Sequence, residues 1–353
     1  MPKIDRLFEI LRKNEGSDLH MLEGQKPKIR RHGRLIPLDS ELVLSRGMIT
    51  EYLKEICAAQ TWKKFLERLD LDFAYTLDEN TRFRCNYYHQ VHGLGAVFRT
   101  IPARILTLEE LRLPPVLRTF MNLRSGLVLV TGPTGAGKST TLAAILDEIN
   151  RRDSRYILTI EEPVEFVHQN QKSVFCQREV GLDVRTFAEA LRSASRQAVD
   201  VILVGEMRDL ETISLTLSAA AMGTLVFATL HTNSAVKTVD RIVDVFPPDQ
   251  HAKARAMLAD SLRGICSQLL LRRKDGQGRI PAVEVLLATQ GLANSIRDGN
   301  TSNIMNIIQG GRNNGMQLMD DEIEKLFKSG QVSGEEAYLK SADKKRFMAY
   351  APK

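Results

Sequence analysis

The chain has 353 residues, of which 43% are hydrophobic and 26% are charged, and its formal net charge is +6. This length favours about two domains, each large enough to bury its own core. No apolar stretch approaches the ~18 residues that cross a bilayer, and the first residues lack the apolar region of a secretory signal. We therefore expect a cytoplasmic protein rather than an integral membrane protein.

The cysteines and the charges exclude further classes. The four cysteines stand far apart without a C-x-x-C pair, which predicts free thiols rather than a zinc ribbon or a disulfide framework. The 49 Lys and Arg residues and the 43 Asp and Glu residues are spread along the chain, and no aromatic-rich RNA-binding motif accompanies the basic ones. We expect no nucleic-acid partner.

The first hundred residues predict a small α+β domain. Apolar residues at helical spacing predict a helix over 4–12, and the stretch 47–69 is rich in helix formers. Strand patterns fill most of the remainder, at 27–36 with a turn at His32-Gly33, at 72–77 and 82–88 with a turn at 78–80 between them, and at 95–99. We place the end of this domain at residue 102.

The rest of the chain predicts an α/β domain. Residues 103–124 contain Pro114-Pro115 and are typical of a linker. Beyond them, short apolar runs alternate with helical patterns, which predicts a mainly parallel sheet with helices on both faces. These runs are 127–130, 156–160, 201–204 and 225–230. After Pro247-Pro248 we expect a mostly helical part, interrupted at 275–278 and by a strand at 282–286. The second domain then covers 125–353.

A glycine-rich segment points to the ligand. Gly132-Pro-Thr-Gly-Ala-Gly-Lys-Ser139 follows an apolar strand and precedes a helical pattern, the setting of a phosphate-binding loop. The glycines let backbone N–H groups surround phosphates, Lys138 adds a point charge, and the Ser139 hydroxyl suits Mg²⁺. A glycine-rich turn before an ordinary helix is the alternative, and the full strand-loop-helix pattern argues against it. We predict that the loop binds a nucleoside triphosphate through Gly132, Pro133, Thr134, Gly135, Ala136, Gly137, Lys138, Ser139 and Thr140.

Hydrolysis also needs Mg²⁺ and a carboxylate that orients or deprotonates the attacking water. Glu206 ends the apolar strand that starts at Asp200, which is a Walker B pattern, and His231 ends another predicted core strand. His231 is either a core histidine or a sensor of the terminal phosphate. The loop 159–166 carries three carboxylates, and the residues alone do not choose among them. They are Glu161, Glu162 and Glu165.

The order of these motifs carries a family resemblance. It resembles the type II/type IV secretion ATPase superfamily and, within it, the PilT-type pilus retraction ATPases, over nearly the full chain. The motifs that carry the resemblance are 132–141, 159–166, 177–181, 204–213 and 229–232, together with 17–20 and 315–320.

The resemblance implies more than the residues alone. It implies a RecA-like core, a PAS-like N-terminal domain, the cofactors ATP and Mg²⁺, and a homohexamer whose ATP hydrolysis drives pilus retraction and twitching motility. It also implies a position peripheral to the membrane, at the cytoplasmic face of the inner membrane, with a pilus platform protein as partner.

The resemblance further assigns roles to residues. Glu165 matches the catalytic glutamate, Glu206 the Walker B acid that holds the metal together with Ser139, and His231 the His box. Arg84 and Arg99, on N-terminal strands, match arginines that reach the nucleotide. Delivery of this charge by a neighbouring subunit would couple hydrolysis to the relative position of two domains.

Four positions depart from the family pattern. Glu162 replaces an aspartate, Ala198-Val199 lacks a proline before the Walker B strand, and Ala221 stands where relatives often have glutamate. Residues 292–298 form a degraded version of the retraction motif. ATP binding tolerates all four, but the direction of force stays open. The alternatives are an accessory PilU-like ATPase with weak turnover, an assembly or type II secretion motor, and a DNA-processing motor.

Overall fold

The computed structural model describes residues 2–31, 34–78, 81–102 and 104–352. They form two compact units. One comprises Met1–Arg104 and Pro163–Val167, and the other comprises Ile105–Glu162 and His168–Lys353. Within the described residues, no helix has the length and apolar character that a membrane span requires. The four cysteines are free, as predicted.

The first unit is a six-stranded antiparallel sheet with helices packed against it. Its strands follow the order β3-β2-β1-β6-β5-β4. The elements are α1 (Asp5–Lys13), β1 (Asp18–Leu22), β2 (Lys28–Arg31), β3 (Arg34–Pro37), α2 (Arg46–Glu55), α3 (Ala59–Arg68), β4 (Asp70–Asp78), β5 (Thr81–Gln90) and β6 (Gly93–Pro102). The predicted α+β class of this unit is confirmed.

Helix α1 forms because its apolar residues share one face, which is buried in the core of the first unit. Phe8 of this helix stacks on Phe83 of β5, with ring centroids 4.2 Å apart. The predicted helical stretch 47–69 is two helices, α2 and α3. The predicted turns at His32-Gly33 and at 78–80 lie wholly or partly outside the described residues, although the flanking strands pair at Arg31 and Arg34.

Strand β1 is not predicted by the sequence, yet it lies in the middle of this sheet, between β2 and β6. Its two buried apolar side chains, Leu19 and Met21, alternate with Asp18 and His20. Two alternating apolar residues are too short a pattern to indicate a strand, and the sheet on both sides supplies the stabilisation.

The second unit contains a seven-stranded sheet with the order β13-β12-β7-β11-β10-β8-β9. Its elements are α4 (Arg118–Met121), β7 (Gly126–Thr131), α5 (Lys138–Arg152), β8 (Tyr156–Glu161), β9 (Val174–Glu179), α6 (Phe187–Ala194), β10 (Val201–Val204), α7 (Leu210–Ala221), β11 (Leu225–Leu230), α8 (Ala235–Asp244), α9 (His251–Ser261), β12 (Leu262–Arg272), β13 (Arg279–Leu287), α10 (Gln290–Arg297), α11 (Ile304–Gly310), α12 (Met319–Lys328) and α13 (Gly334–Lys340).

All neighbouring strands of this sheet are parallel except β12 and β13. Alternate residues of β7 pack into two different cores, Leu127 and Leu129 into one and Val128 and Val130 into the other. Helices therefore cover both faces, and the predicted α/β class with a mainly parallel sheet is confirmed.

The prediction of a mostly helical segment after Pro248 is wrong for β12, an eleven-residue strand. This strand pairs with the parallel strand β7 on one edge and with the antiparallel strand β13 on the other. Most of its residues on both faces are buried, so its apolar residues do not alternate with polar ones. The predicted strand 282–286 is confirmed within the longer β13. The turn between the two strands uses Gly276 and Gly278, both with positive φ.

The predicted linker contributes to a core. Leu108, Leu117 and Phe120 are buried in the second unit, beside α5 and β7. The predicted domain boundaries, 1–102, 103–124 and 125–353, remain predictions, as does the PAS-like nature of the first domain.

Candidate nucleotide-binding site

Four loops of the second unit follow the carboxyl ends of parallel strands. The phosphate loop follows β7, Glu162 follows β8, Glu206 follows β10, and His231 follows β11. These strands are neighbours or next neighbours in the sheet. Because parallel strands present their carboxyl ends at one edge, where α/β proteins bind ligands, the sheet places these loops at a single edge.

The phosphate loop has a conformation that only glycine adopts easily. Gly132, Gly135 and Gly137 have φ values of 147°, 78° and 86°. A Cβ on Gly132 would also lie 2.3 Å from the backbone oxygen of Gln268, so no larger residue fits there. The loop is anchored at its start by the Gly132 N–H, which donates to the Leu230 oxygen at the end of β11 over 3.2 Å.

The residues of this loop fit a phosphate group. Gly137 is the N-cap of α5 and has no side chain with which to cap it, so the first N–H groups of α5 suit an anionic ligand. Lys138 Nζ donates to the backbone oxygens of Gly132, at 2.8 Å, and of Pro133, at 3.2 Å. The ammonium group therefore lies over the loop that it is predicted to serve. Ser139 and Thr140 follow in the first turn of α5, and both are partly buried.

Sequence reasoning missed Gln268. This residue of β12 is 3% exposed, and its side chain hydrogen-bonds both the phosphate loop and α5. In the sequence, Gln268 is a single amide side chain within an apolar run that predicts a helix. No local pattern therefore indicates that it belongs to the site.

Glu206, His231 and Arg208 form a cluster. His231 Nε2 lies 3.0 Å from Glu206 Oε1, and Arg208 Nη2 donates to Glu206 Oε2 at 2.7 Å. Arg208 Nη1 also lies 4.0 Å from Glu162. Partial burial of Glu206 opposes its ionisation, but the hydrogen bonds from Arg208 and His231 hold its pKa below the usual value. The structure thus brings together two site residues that the sequence predicts separately.

This lowered pKa predicts a pH dependence. A carboxylate whose pKa is lower in the folded state stabilises the fold above its unfolded pKa of about 4.3, and loses that effect as the pH falls through the folded value. Relative to Glu206→Gln, the wild-type chain should therefore gain stability at pH 7 that disappears below about pH 4. Denaturant unfolding midpoints of both proteins between pH 3 and 7 measure this difference.

Glu189→Gln is a suitable control for that comparison, because Glu189 is an exposed carboxylate on α6. If the Glu206→Gln and wild-type midpoints change in parallel over the whole pH range, the Glu206 cluster does not stabilise the ionised carboxylate.

The remaining predicted site residues lie in the first unit. Arg84 and Arg99 are direct cross-strand partners on β5 and β6. Arg84 Nη1 lies 3.9 Å from Glu165, which belongs to the short segment grouped with this unit. Arg99 Nε donates to the buried carboxylate of Asp18 at 2.8 Å. Burial of Asp18 opposes its ionisation, yet the hydrogen bonds from Arg99 and Ser17 hold its pKa below the usual value.

Comparisons with known proteins show to which family the chain belongs. A family model described as type II/IV secretion system protein matches residues 8–347. The type IV pilus retraction ATPase PilT of Pseudomonas aeruginosa is 46% identical over 340 residues, which are 96% of this chain and 98% of that protein. The type IV pilus ATPase PilU of the same organism is 35% identical over 348 residues, covering 98% of this chain and 91% of PilU.

A solved structure shows the same fold. The pilus retraction motor PilT with bound ADP is similar with a TM-score of 0.90 at 38% identity, and the match covers 98% of each chain. The chain therefore belongs to the family of type II/IV secretion system proteins.

Proposed function

We propose that this protein is an ATPase that powers the retraction of type IV pili. One observation carries the proposal: a complete phosphate loop, with Lys138 over its carbonyls, lies in a chain that is 46% identical to a pilus retraction ATPase over almost the full length of both. The solved relative with bound ADP supports nucleotide binding by this chain.

The phosphate loop performs the binding step. The backbone N–H groups of Gly135, of Gly137 and of the first turn of α5 would donate to phosphate oxygens, and Lys138 would add its charge. Ser139 and Glu206 would hold Mg²⁺, which takes most of its ligands from phosphates and water. When bound, Mg²⁺ neutralises charge that develops on the phosphate oxygens.

Glu165 is proposed to accept a proton from the attacking water. A general base needs access to water, and the Glu165 side chain is 34% exposed. Arg84 Nη1 lies 3.9 Å from the Glu165 carboxylate, and Arg84 Nε lies 3.8 Å from that of Asp72. His231 is proposed to sense the terminal phosphate, since its hydrogen bond to Glu206 orients the imidazole beside the proposed metal ligand.

A second candidate function is that of an accessory pilus ATPase with weak turnover, and the departures from the family pattern favour it. Ala198, just before β10, has a φ of 50°, a left-handed conformation that is unfavourable for alanine. In the degraded retraction motif, Arg297 Nη2 donates to Asp260 of α9 at 2.5 Å. Comparing phosphate release by the purified wild-type chain with that by the Glu165→Gln variant distinguishes the two functions. An accessory ATPase should hydrolyse ATP only slightly faster than the variant.

The proposal includes an assembly and a location. We propose a homohexamer that is peripheral to the cytoplasmic face of the inner membrane and acts on a pilus platform protein. The support is the family resemblance. A hexamer offers each phosphate loop a neighbouring subunit, which is the arrangement that the roles proposed for Arg84 and Arg99 require.

If these arginines act across a subunit boundary, mixed rings should recover activity. Arg99→Ala and Lys138→Ala are each expected to be inactive, yet a ring of both contains some interfaces with an intact Arg99 and an intact Lys138. Partial ATPase recovery after subunit exchange, measured by phosphate release, is therefore the expected result.

Arg30→Ala is the matched control for Arg99→Ala, because Arg30 Nε lies 3.6 Å from the same Asp18 carboxylate but has no proposed contact with nucleotide. It should keep most of the activity. Verified mixed rings that stay inactive, or a fully active monomer, would rule out action between subunits.

A further inference from the structure

Gln268 contacts the phosphate loop and the helix that follows it with one side chain. Its Nε2 donates to the backbone oxygen of Ala136 in the loop, and its Oε1 accepts from Thr141 Oγ1 in the first turn of α5, both at 2.8 Å. The residue is 3% exposed. Both the nitrogen and the oxygen of the amide are therefore hydrogen-bonded to the two segments that are proposed to bind phosphate.

The contact extends to the glycines of the loop. A Cβ on Gly132 would lie 2.3 Å from the Gln268 backbone oxygen, and a Cβ on Gly137 would lie 2.9 Å from its Nε2. The first glycine of the loop therefore packs on the backbone of Gln268, and the last one packs on its side chain. A larger residue at Gly132 would therefore clash with backbone, and one at Gly137 would have to displace the Gln268 amide, in addition to the positive φ that both positions require.

The strand that carries Gln268 is held on both sides. Ser267, its neighbour in β12, pairs with Thr131 of β7, and their hydroxyl groups are 2.9 Å apart. On the other side, β13 pairs with β12 along nine positions. Near the end of β12, the Arg272 N–H donates to the buried carboxylate of Glu336 in α13 at 3.0 Å. The side chain of Gln268 therefore extends to the loop from a strand that its neighbours hold in place.

We propose that Gln268 is a positioning residue that holds the phosphate loop in its binding shape before nucleotide arrives. The inference rests on the proposed nucleotide-binding function of this loop. Without the amide, the Ala136 oxygen and the Thr141 hydroxyl lose their partners in a buried site, and the loop must rearrange or find others. Nucleotide binding then has to restore the loop, which weakens the affinity.

Gln268→Leu should therefore weaken ADP binding about tenfold and raise KM for ATP by a similar factor. Thr141→Val, which removes one of the two hydrogen bonds, should weaken ADP binding about threefold. The measurement is ADP titration by calorimetry on the purified full chain, together with thermal unfolding midpoints with and without ADP.

Gln317→Leu is the matched control. Gln317 Nε2 donates to the backbone oxygen of Val283 at 2.7 Å, and Val283 is the cross-strand partner of Gln268 in β13. This variant therefore removes the same kind of hydrogen bond next to Gln268 but leaves the hydrogen bonds of Gln268 to the phosphate loop and α5 in place. We expect a lower unfolding midpoint with unchanged ADP affinity. A purely structural role of Gln268 would give that same result for Gln268→Leu.

The outcomes separate this inference from the proposed function. If the wild-type chain binds ADP and Gln268→Leu binds it within twofold of wild type, the inference is wrong. If Gln268→Leu does not fold, Thr141→Val decides, and an unchanged ADP affinity in that variant would overturn the inference. A wild-type chain that binds ADP without hydrolysing ATP contradicts the proposed ATPase and leaves the ADP test of Gln268 intact.

Discussion

Replacing Lys138 with alanine should abolish ATP turnover and leave the fold in place. The side chain donates to two carbonyl oxygens of a surface loop, hydrogen bonds that contribute about 1 kcal/mol each to stability. Removing a preorganised hydrogen-bond donor that contacts the transferred phosphate lowers the turnover rate by at least about 10²–10³-fold. Phosphate release at saturating ATP measures the first effect, and the thermal unfolding midpoint measures the second.

Lys63→Ala is the control for this charge change, because Lys63 is an exposed residue of α3 with no proposed role. It should turn over ATP at the wild-type rate. Near-normal activity of Lys138→Ala would show that the phosphate loop is not where the chain hydrolyses ATP.

Glu165→Gln should keep nucleotide binding and lose hydrolysis. Glutamine preserves the size of the side chain but cannot accept a proton from water, and the loss of a general base lowers kcat by about 10²–10⁴-fold. The affinity for ADP should stay within a factor of three, because the phosphate loop is intact. Single-turnover hydrolysis and ADP titration test the two halves of this prediction.

Glu162→Gln tests whether the correct acid of this loop has been chosen. Glu162 is 49% exposed and lies 4.0 Å from Arg208, an ion pair of the kind that contributes at most about 1 kcal/mol. We expect a small effect on kcat. A variant pair in which Glu162→Gln is inactive and Glu165→Gln is active would reverse the assignment.

The sequence predicts the phosphate loop residue by residue because its information is local. Glycine spacing, the following Lys138-Ser139 pair and the flanking strand and helix all lie within a short segment. The strands before Glu206 and His231 are predictable for the same reason, since strands buried on both faces are short apolar runs. Their arrangement at one edge follows from the parallel sheet.

Gln268 could not be predicted, because its partners are distant in sequence. The amide reaches Thr141 and Ala136 from 127 and 132 residues away, and β12 itself lacks a strand-like alternation. The same holds for β1, which is defined by its neighbours in the sheet. The pairing of Arg99 with Asp18 likewise depends on the register between β1 and β6.

The most direct test of pilus retraction is made in cells. The gene is deleted in its own host and complemented with the wild-type chain or with Lys138→Ala, and surface pili and twitching motility are scored. Retraction predicts excess pili and no motility in the deletion, restored by the wild-type chain and not by Lys138→Ala. Cells without pili, or motile cells with a normal number of pili, would contradict it.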